Sequence, residues 1–82
     1  MRGIHSRPFS IDKMRRVKRW QADNCPSAIT FETDRSVFDQ VEIMKITKDD
    51  SGQGWLEFWG LDYRGYREWL IKIDDLYEVR IS

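Results

Sequence analysis

One histidine and one cysteine are the side chains in this sequence best suited to nucleophilic catalysis. A Cys–His dyad needs the two groups within hydrogen-bond reach, so that the imidazole can take the thiol proton. His5 lies in an irregular N-terminal segment and Cys25 precedes Pro26 in a predicted turn, so neither has rigid support. A single cysteine also excludes an internal disulfide, and the pair is too small for a His/Cys metal cluster. We therefore expect no catalytic residues and no enzymatic activity.

Two acidic pairs, Asp49-Asp50 and Asp74-Asp75, have the oxygen ligands that a hard cation prefers. Adjacent carboxylates in predicted turns are, however, more typical of solvated or capping groups. The glycines at positions 52, 54, 60 and 65 do not form a phosphate-binding loop, because the GxxxxGK[ST] spacing and its strand–loop–helix context are missing. We expect neither a metal nor a cofactor.

Aromatic residues are abundant, with four Trp, four Phe and three Tyr. In an extended segment Trp55, Glu57, Trp59 and Leu61 share one face, and the residues between them share the other. Since a thin domain cannot easily bury both sets, Trp59, Tyr63, Tyr66 and Trp69 form a candidate exposed platform. Exposed aromatics stack on nucleic-acid bases or anchor a protein partner. In the alternative interpretation, a helix covers one of these faces and the interior of a small barrel buries the other.

Charge is unevenly distributed along a chain of zero net charge. Residues 1–20 contain seven basic side chains and one acidic, whereas residues 21–82 contain seven basic and thirteen acidic. The candidate basic binding face consists of Lys13, Arg15, Arg16 and Arg19. Such a face can displace counterions from phosphates, or it can dock on the acidic part of the same chain or of a neighbouring copy. Charge asymmetry leaves both interpretations open.

The basic face lies on the best predicted helix, residues 10–21. Ser10 is suited to cap the first turn, and Met14, Val17 and Trp20 fall on one narrow apolar face. The pattern predicts a helix that packs this face on a sheet and exposes its charges. Residues 1–9 are expected to form an irregular basic arm.

From residue 28 onward the apolar period is two, which is typical of strands. The predicted strands are 28–33, 37–48, 55–61, 69–73 and 77–81. A phase slip at Met44-Lys45-Ile46 predicts a bulge or a sharp bend in the second strand, and Gly65 suits a turn with positive φ. The predicted fold is mostly β (α+β): one domain, 1–82, with an N-terminal helix and a five-stranded, bent small β-barrel over 28–82.

Two segments, Gly54–Asp62 and Arg67–Val79, resemble a pattern of the WYL family of bacterial regulatory domains. In that family an aromatic-rich strand is followed by a turn, an Arg, and an apolar strand that ends in an Ile/Leu-Asp-x-Ile turn. The last two strands also look similar to the Rho-binding antiterminator type of small protein. Both are Sm-like barrels, and the resemblance implies that fold. Leu56 replaces the tyrosine expected after the Trp, and no helix-turn-helix precedes the match, so no ligand site is transferred.

These features together favour a small regulatory binding module without turnover, which recruits or inhibits a macromolecular partner. A protein partner is favoured, since an acidic body repels phosphates; regulators of nucleic-acid machinery, including phage-encoded ones, fit this profile. The alternative is direct RNA or DNA binding through the basic helix and exposed aromatics. A homodimer is a third hypothesis, through the basic helix or through strand 77–81 at a sheet edge. The lone cysteine and the lack of a long apolar run predict a cytoplasmic protein without a membrane partner.

Overall fold

Six antiparallel strands and one helix build the part of the chain that the computed structural model describes, residues 3–24 and 28–82. In chain order the elements are β1 (Gly3–Ser6), α1 (Ile11–Asp23), β2 (Ile29–Thr33), β3 (Val37–Lys48), β4 (Gly54–Asp62), β5 (Gly65–Lys72), a 3-10 turn (Ile73–Asp75) and β6 (Leu76–Ile81). The strands form one sheet in the order β1-β6-β2-β3-β4-β5. The expected mostly β fold with one helix is confirmed, and β1 and β5 are the two edges of the sheet.

The first strand corrects two predictions. Residues 3–6 are not irregular, because they pair with β6, where His5 lies opposite Val79. The predicted count of five strands therefore becomes six in the described residues. A four-residue segment is too short to produce a period-two signal, and it is extended because β6 offers it main-chain partners. The same pairing places β6 between β1 and β2, so strand 77–81 is not the open edge that the homodimer hypothesis assumed.

The long strand β3 bends because it serves two neighbours. It pairs with β2 only at Val37 and Phe38, and then runs along β4 as far as Lys48. The β3–β4 register shifts between Ile43 and Lys45, which confirms the predicted bulge. A second shift, between Asp39 and Glu42, was not predicted; here Gln40 has a φ of 52°, in the left-handed region.

Helix α1 covers the core side of the sheet, as its apolar stripe predicts. Ser10 caps it by accepting a hydrogen bond from the Lys13 N–H at 3.1 Å. Met14 and Val17 are fully buried. The helix begins one residue later than predicted and ends at Asp23 rather than 21.

The core consists of apolar side chains from α1, from strands β2, β3, β4 and β6, from the 3-10 turn and from the segment before the helix: Phe9, Met14, Val17, Ile29, Phe31, Phe38, Val41, Ile43, Leu56, Phe58, Ile73, Leu76, Val79 and Ile81. Phe58 is central, with edge-to-face contacts to Phe31 and Phe38 at 5.0 and 5.2 Å between ring centroids. Edge-to-face pairs add about 0.5–1.5 kcal/mol beyond the area they bury. Strand β4 is thus fixed through its inward face, which determines what its outward face presents.

Candidate functional site

The hairpin of β4 and β5 carries the candidate site. A two-residue turn, Tyr63-Arg64, joins the strands, and Gly65 adopts the predicted positive φ of 121°. The hairpin register places Trp59 opposite Glu68 and Leu61 opposite Tyr66. Alternate residues of each strand therefore point away from the core, and these side chains form one surface.

We call this surface the outer face. Its residues are Trp55, Glu57, Trp59 and Leu61 of β4, Tyr66, Glu68, Leu70 and Lys72 of β5, and Glu42, Lys45 and Thr47 of β3, which lie opposite the β4 members. Leu70 is 58 % exposed and Tyr66 is 48 % exposed, whereas Trp55, Trp59 and Leu61 are half-buried. Exposed Leu and Tyr side chains beside half-buried Trp rings form an apolar patch, with three glutamates and two lysines among them.

Trp59 and Tyr66 stack on each other across the two strands. Their ring centroids are 5.6 Å apart and the ring planes are inclined by 19°. The two residues are diagonal neighbours in the register, a separation that aromatic side chains can bridge. The stack holds the two rings in fixed positions relative to each other.

The other two residues of the predicted platform lie elsewhere. Trp69 is opposite Phe58 in the register and so faces the core side of the sheet. There it is half-buried, 4.9 Å from Phe38, and its indole N–H donates to the Gly60 carbonyl at 3.1 Å. Tyr63 lies in the turn and is 90 % exposed. The structure thus brings Trp59 and Tyr66 together, and separates them from Trp69.

Arg64 organises the turn of this hairpin. Its guanidinium pairs with the Asp62 carboxylate at 3.1 Å and lies 5.0 Å from the centre of the Trp69 ring and 5.1 Å from that of Tyr63. Burial of the Asp62 carboxyl acts to raise its pKa, but hydrogen bonds from the Arg64 backbone and side chain outweigh this and lower the pKa. Asp62 therefore stays ionised and holds Arg64 over the two rings.

At the opposite end of the outer face, Asp49 organises the β3–β4 loop. One carboxylate oxygen accepts hydrogen bonds from Ser51 and from the Gln53 N–H, and the other accepts from the Trp55 indole N–H at 2.9 Å. The Ser51 hydroxyl contributes most, followed by Trp55, and together they lower the pKa of Asp49 to about 2. These bonds make Asp49 a loop-capping group, in agreement with the capping interpretation of the Asp49-Asp50 pair.

The structure also separates the residues of the predicted basic face. Arg15, Arg16 and Arg19 are exposed, but Lys13 is half-buried, with its ammonium 4.7 Å from the centre of the Phe9 ring and 3.4 Å from the Ser6 carbonyl. A cleft between α1 and the bulged part of β3 is lined by Arg15, Lys18, Arg19, Ala22, Met44, Lys45 and Ile46. Sequence reasoning omitted Lys18 and Lys45 from this face. The helical spacing of residues 15, 18, 19 and 22 is the signal that could have identified Lys18.

His5 lies in β1, and its Nε2 atom is buried without a hydrogen-bond partner in the described ranges. Cys25, the other member of the hypothetical dyad, lies outside the described residues. Within residues 3–24 and 28–82, no three His, Cys, Asp or Glu side chains are grouped so that they could hold a metal ion. In the same ranges, no helix has the length and apolar character needed to cross a membrane.

Comparison of the chain with protein-family models, with curated proteins and with solved structures gave no match. The resemblance to Sm-like barrels therefore stays a prediction.

Proposed function

We propose that this protein is a non-catalytic regulatory binding module that recruits or inhibits a protein partner through its outer face. The observation that carries the proposal is the stacked Trp59–Tyr66 pair beside exposed Leu70. Tyr and Trp are enriched among the residues that dominate binding energy at protein interfaces. A rigid aromatic pair on an open sheet face suits this role.

Charge next to the Trp59–Tyr66 stack favours protein over nucleic acid, although Lys45 and Lys72 lie farther along the same face. Glu42 and Glu68 flank Trp59 on the two neighbouring strands, and Glu57 lies on the same face. These carboxylates repel phosphates, and they complement a partner surface that combines apolar groups with Lys or Arg. Trp59 also lies on the opposite side of β4 from helix α1, whose Met14 and Val17 pack into the core. One nucleic acid would have difficulty contacting the basic helix and stacking on Trp59 at the same time.

Capture from cell lysate at several salt concentrations tests the proposal when each surface is changed separately. One variant carries Trp59→Ala and Tyr66→Ala, and a matched control carries Arg15→Glu, Arg16→Glu and Arg19→Glu. Circular dichroism checks that both are folded. We expect one protein to be retained by the wild type and by the helix variant, and lost by the outer-face variant. Retention by the outer-face variant, or recovery of chaperones alone, would contradict the proposal.

The cleft beside α1 supports a second candidate function, direct binding of RNA or DNA. Three helix cations and Lys45 line it, and no carboxylate is among its lining residues in the described part of the chain. Fluorescence anisotropy with labelled single-stranded RNA and duplex DNA at low salt tests this candidate. If the cleft binds phosphates, replacing Arg15, Lys18 and Arg19 by Gln reduces the salt-dependence slope by about two to three. No binding at micromolar protein would exclude it.

We also propose that the bent sheet is a small barrel of the Sm-like type. The observation in its favour is the succession of one helix and five consecutive antiparallel strands, β2 to β6, with the long β3 bent between β2 and β4. An experimental structure compared with Sm-like barrels would test this assignment.

A further inference from the structure

Among the described strands, β5 has a free edge. It ends the strand order, and within residues 3–24 and 28–82 it pairs with β4 on one side only. In an antiparallel hairpin closed by a two-residue turn, residues alternate between pairs that exchange main-chain hydrogen bonds and pairs that do not. Gly65, next to the turn, belongs to the bonded class, so Tyr66, Glu68, Leu70 and Lys72 belong to the other. Their N–H and C=O groups point away from β4 and are free to pair with another strand.

The backbone of this edge is regular and open to such pairing. Edge strands are usually blunted by charged side chains, by proline, by bulges or by being very short, and of these devices β5 has only charged side chains, Arg67, Glu68 and Lys72. β5 has eight residues, and its pairing with β4 runs from Gly65 to Lys72 without a register shift. Leu70 lies in the second half of β5, and its side chain is 58 % exposed.

We propose that a second copy of this chain adds its own β5 to this edge, antiparallel and about a two-fold axis at Leu70. The structure supports this occupant because the edge is complementary to itself in that register. Leu70 faces Leu70 of the second copy, and Glu68 of each copy faces Lys72 of the other. The Glu–Lys pair occurs twice by symmetry, as in any two-fold interface. On the core side of the joined sheet, Trp69 of each copy lies opposite Ile71 of the other, and both side chains are half-buried in the single chain.

Charge distinguishes this register from its neighbours. A two-fold axis at Glu68 would place two glutamates directly opposite each other, which is destabilising. An axis at Trp69 would place Glu68 opposite Leu70 and Tyr66 opposite Lys72, with no charge paired. The register centred on Leu70 pairs Glu68 with Lys72 and the two leucines with each other, and it joins the two sheets into one.

The dimer goes beyond the proposed function and does not depend on it. A two-fold axis perpendicular to the joined sheet places both outer faces on the same side, so the dimer presents two Trp59–Tyr66 stacks to one partner. Two linked sites increase avidity without any new contact, provided that the partner can reach both. A monomer would still bind through a single outer face, so the failure of one proposal leaves the other intact.

Reversing the charges at Glu68 and Lys72, singly and together, tests the register. Light scattering should give about 20 kDa for the wild type, twice the 9.9 kDa of one chain. Glu68→Lys or Lys72→Glu alone makes both symmetric pairs repulsive and should raise the dimer dissociation constant at least about tenfold. The double variant, E68K with K72E, should restore the wild-type dissociation constant. A mass of 9.9 kDa up to near-millimolar wild-type protein, or a double variant no better than the singles, would overturn the proposal.

Disulfide cross-linking gives an independent measurement in a Cys25→Ser background. In the proposed register Leu70→Cys places two cysteines opposite each other, with Cα atoms about 5.5 Å apart, within reach of a disulfide. Tyr66→Cys is the matched control, because the two copies of position 66 are then about 27 Å apart along the strands. Rapid oxidation of L70C but not of Y66C supports the register. The reverse, or equal rates, contradicts it.

Discussion

Gln21 and Ile43 are joined by a hydrogen bond in which the side-chain amide oxygen of Gln21 accepts from the Ile43 N–H at 2.9 Å. The amide nitrogen of the same side chain donates to the Val41 carbonyl. β3 has already left β2 at this point, so no described strand lies on that side of Val41 and Ile43, while Ile43 pairs with Phe58 of β4 on the other side. The Gln21 amide supplies one donor and one acceptor in their place, and it anchors α1 to the strand that carries the second register shift.

Replacing Gln21 by Ala should therefore destabilise the protein. The change leaves a part-buried carbonyl and a part-buried N–H without protein partners, at a cost of about 1–3 kcal/mol in free energy of unfolding. Arg16→Ala, at an exposed position of the same helix, is the control and should change it by less than about 0.5 kcal/mol. Urea unfolding measures both. Equal effects of the two substitutions would show that the Gln21 bonds contribute nothing beyond helix propensity.

Asp49 predicts a specific dependence of stability on pH. Its pKa is about 2 in the folded protein, below the value of about 3.9 for an unfolded chain. Because the folded pKa is depressed, the stabilisation is fully present above about pH 4 and is lost as the pH falls toward 2. Asp49→Asn keeps one acceptor oxygen but cannot accept from Trp55 through its amide nitrogen. We expect it to be less stable than the wild type at pH 7, by a margin that shrinks between pH 4 and 2.

Thermal unfolding of the wild type and of Asp49→Asn from pH 7 to pH 2 measures this margin. Asp50→Asn is the matched control, since the Asp50 carboxylate accepts no hydrogen bond in the described part of the chain, and we expect it to leave the melting temperature at pH 7 nearly unchanged. A margin for Asp49→Asn that does not change with pH would contradict the assignment.

Two glycines of β4 should respond differently to a methyl group. A Cβ at Gly54 would lie 2.6 Å from Ile11 Cγ1 and from Ile73 Cδ1, whereas at Gly60 the nearest atom, in the Phe58 ring, is 3.1 Å away. Gly54→Ala must displace the start of the helix or the 3-10 turn, and overpacking of this kind costs about 1–3 kcal/mol. Gly60→Ala should cost less, because the lost flexibility of the unfolded chain offsets milder crowding. Urea unfolding gives the order, and a larger cost at Gly60 would contradict it.

More of the fold than of the candidate site could be predicted from the sequence. Period-two alternation located β2 to β6, and the stripe of Met14, Val17 and Trp20 located the helix, because in both cases burial imposes the pattern. β1 was missed, since its extended conformation depends on β6, which is distant in sequence. Nothing in the local sequence indicates the Gln21 contact either, because it depends on where β3 leaves β2.

The separation of the aromatic residues was, by contrast, accessible from the sequence. Tyr66 and Trp69 are three positions apart in one strand, so they must point to opposite faces of the sheet. With Tyr63-Arg64 as a two-residue turn, the hairpin register follows and places Trp59 near Tyr66. Closeness in sequence predicted the platform poorly, and the alternation of side chains between the two faces of a strand would have predicted it better.

This separation predicts that the two tryptophans differ in what their removal costs. Trp69 packs on Phe38 and donates to the Gly60 carbonyl, so Trp69→Ala should lower the free energy of unfolding by about 3 kcal/mol. Trp59 is supported mainly by its stack with Tyr66 on the outer face, so Trp59→Ala should cost only about 1 kcal/mol. Urea unfolding measures both values.

Replacing each tryptophan by phenylalanine separates ring packing from hydrogen bonding. Trp69→Phe keeps an aromatic ring against Phe38 but loses the indole N–H, so it should still cost about 1 kcal/mol. The Trp59 indole makes no hydrogen bond to the described residues, and Trp59→Phe keeps a ring that can stack on Tyr66, so we expect a change of less than about 0.5 kcal/mol. Equal costs at the two positions, or a larger cost at Trp59, would mean that Trp59 stabilises the fold itself. The Trp59–Tyr66 stack would then no longer support the proposal that the outer face is a binding surface.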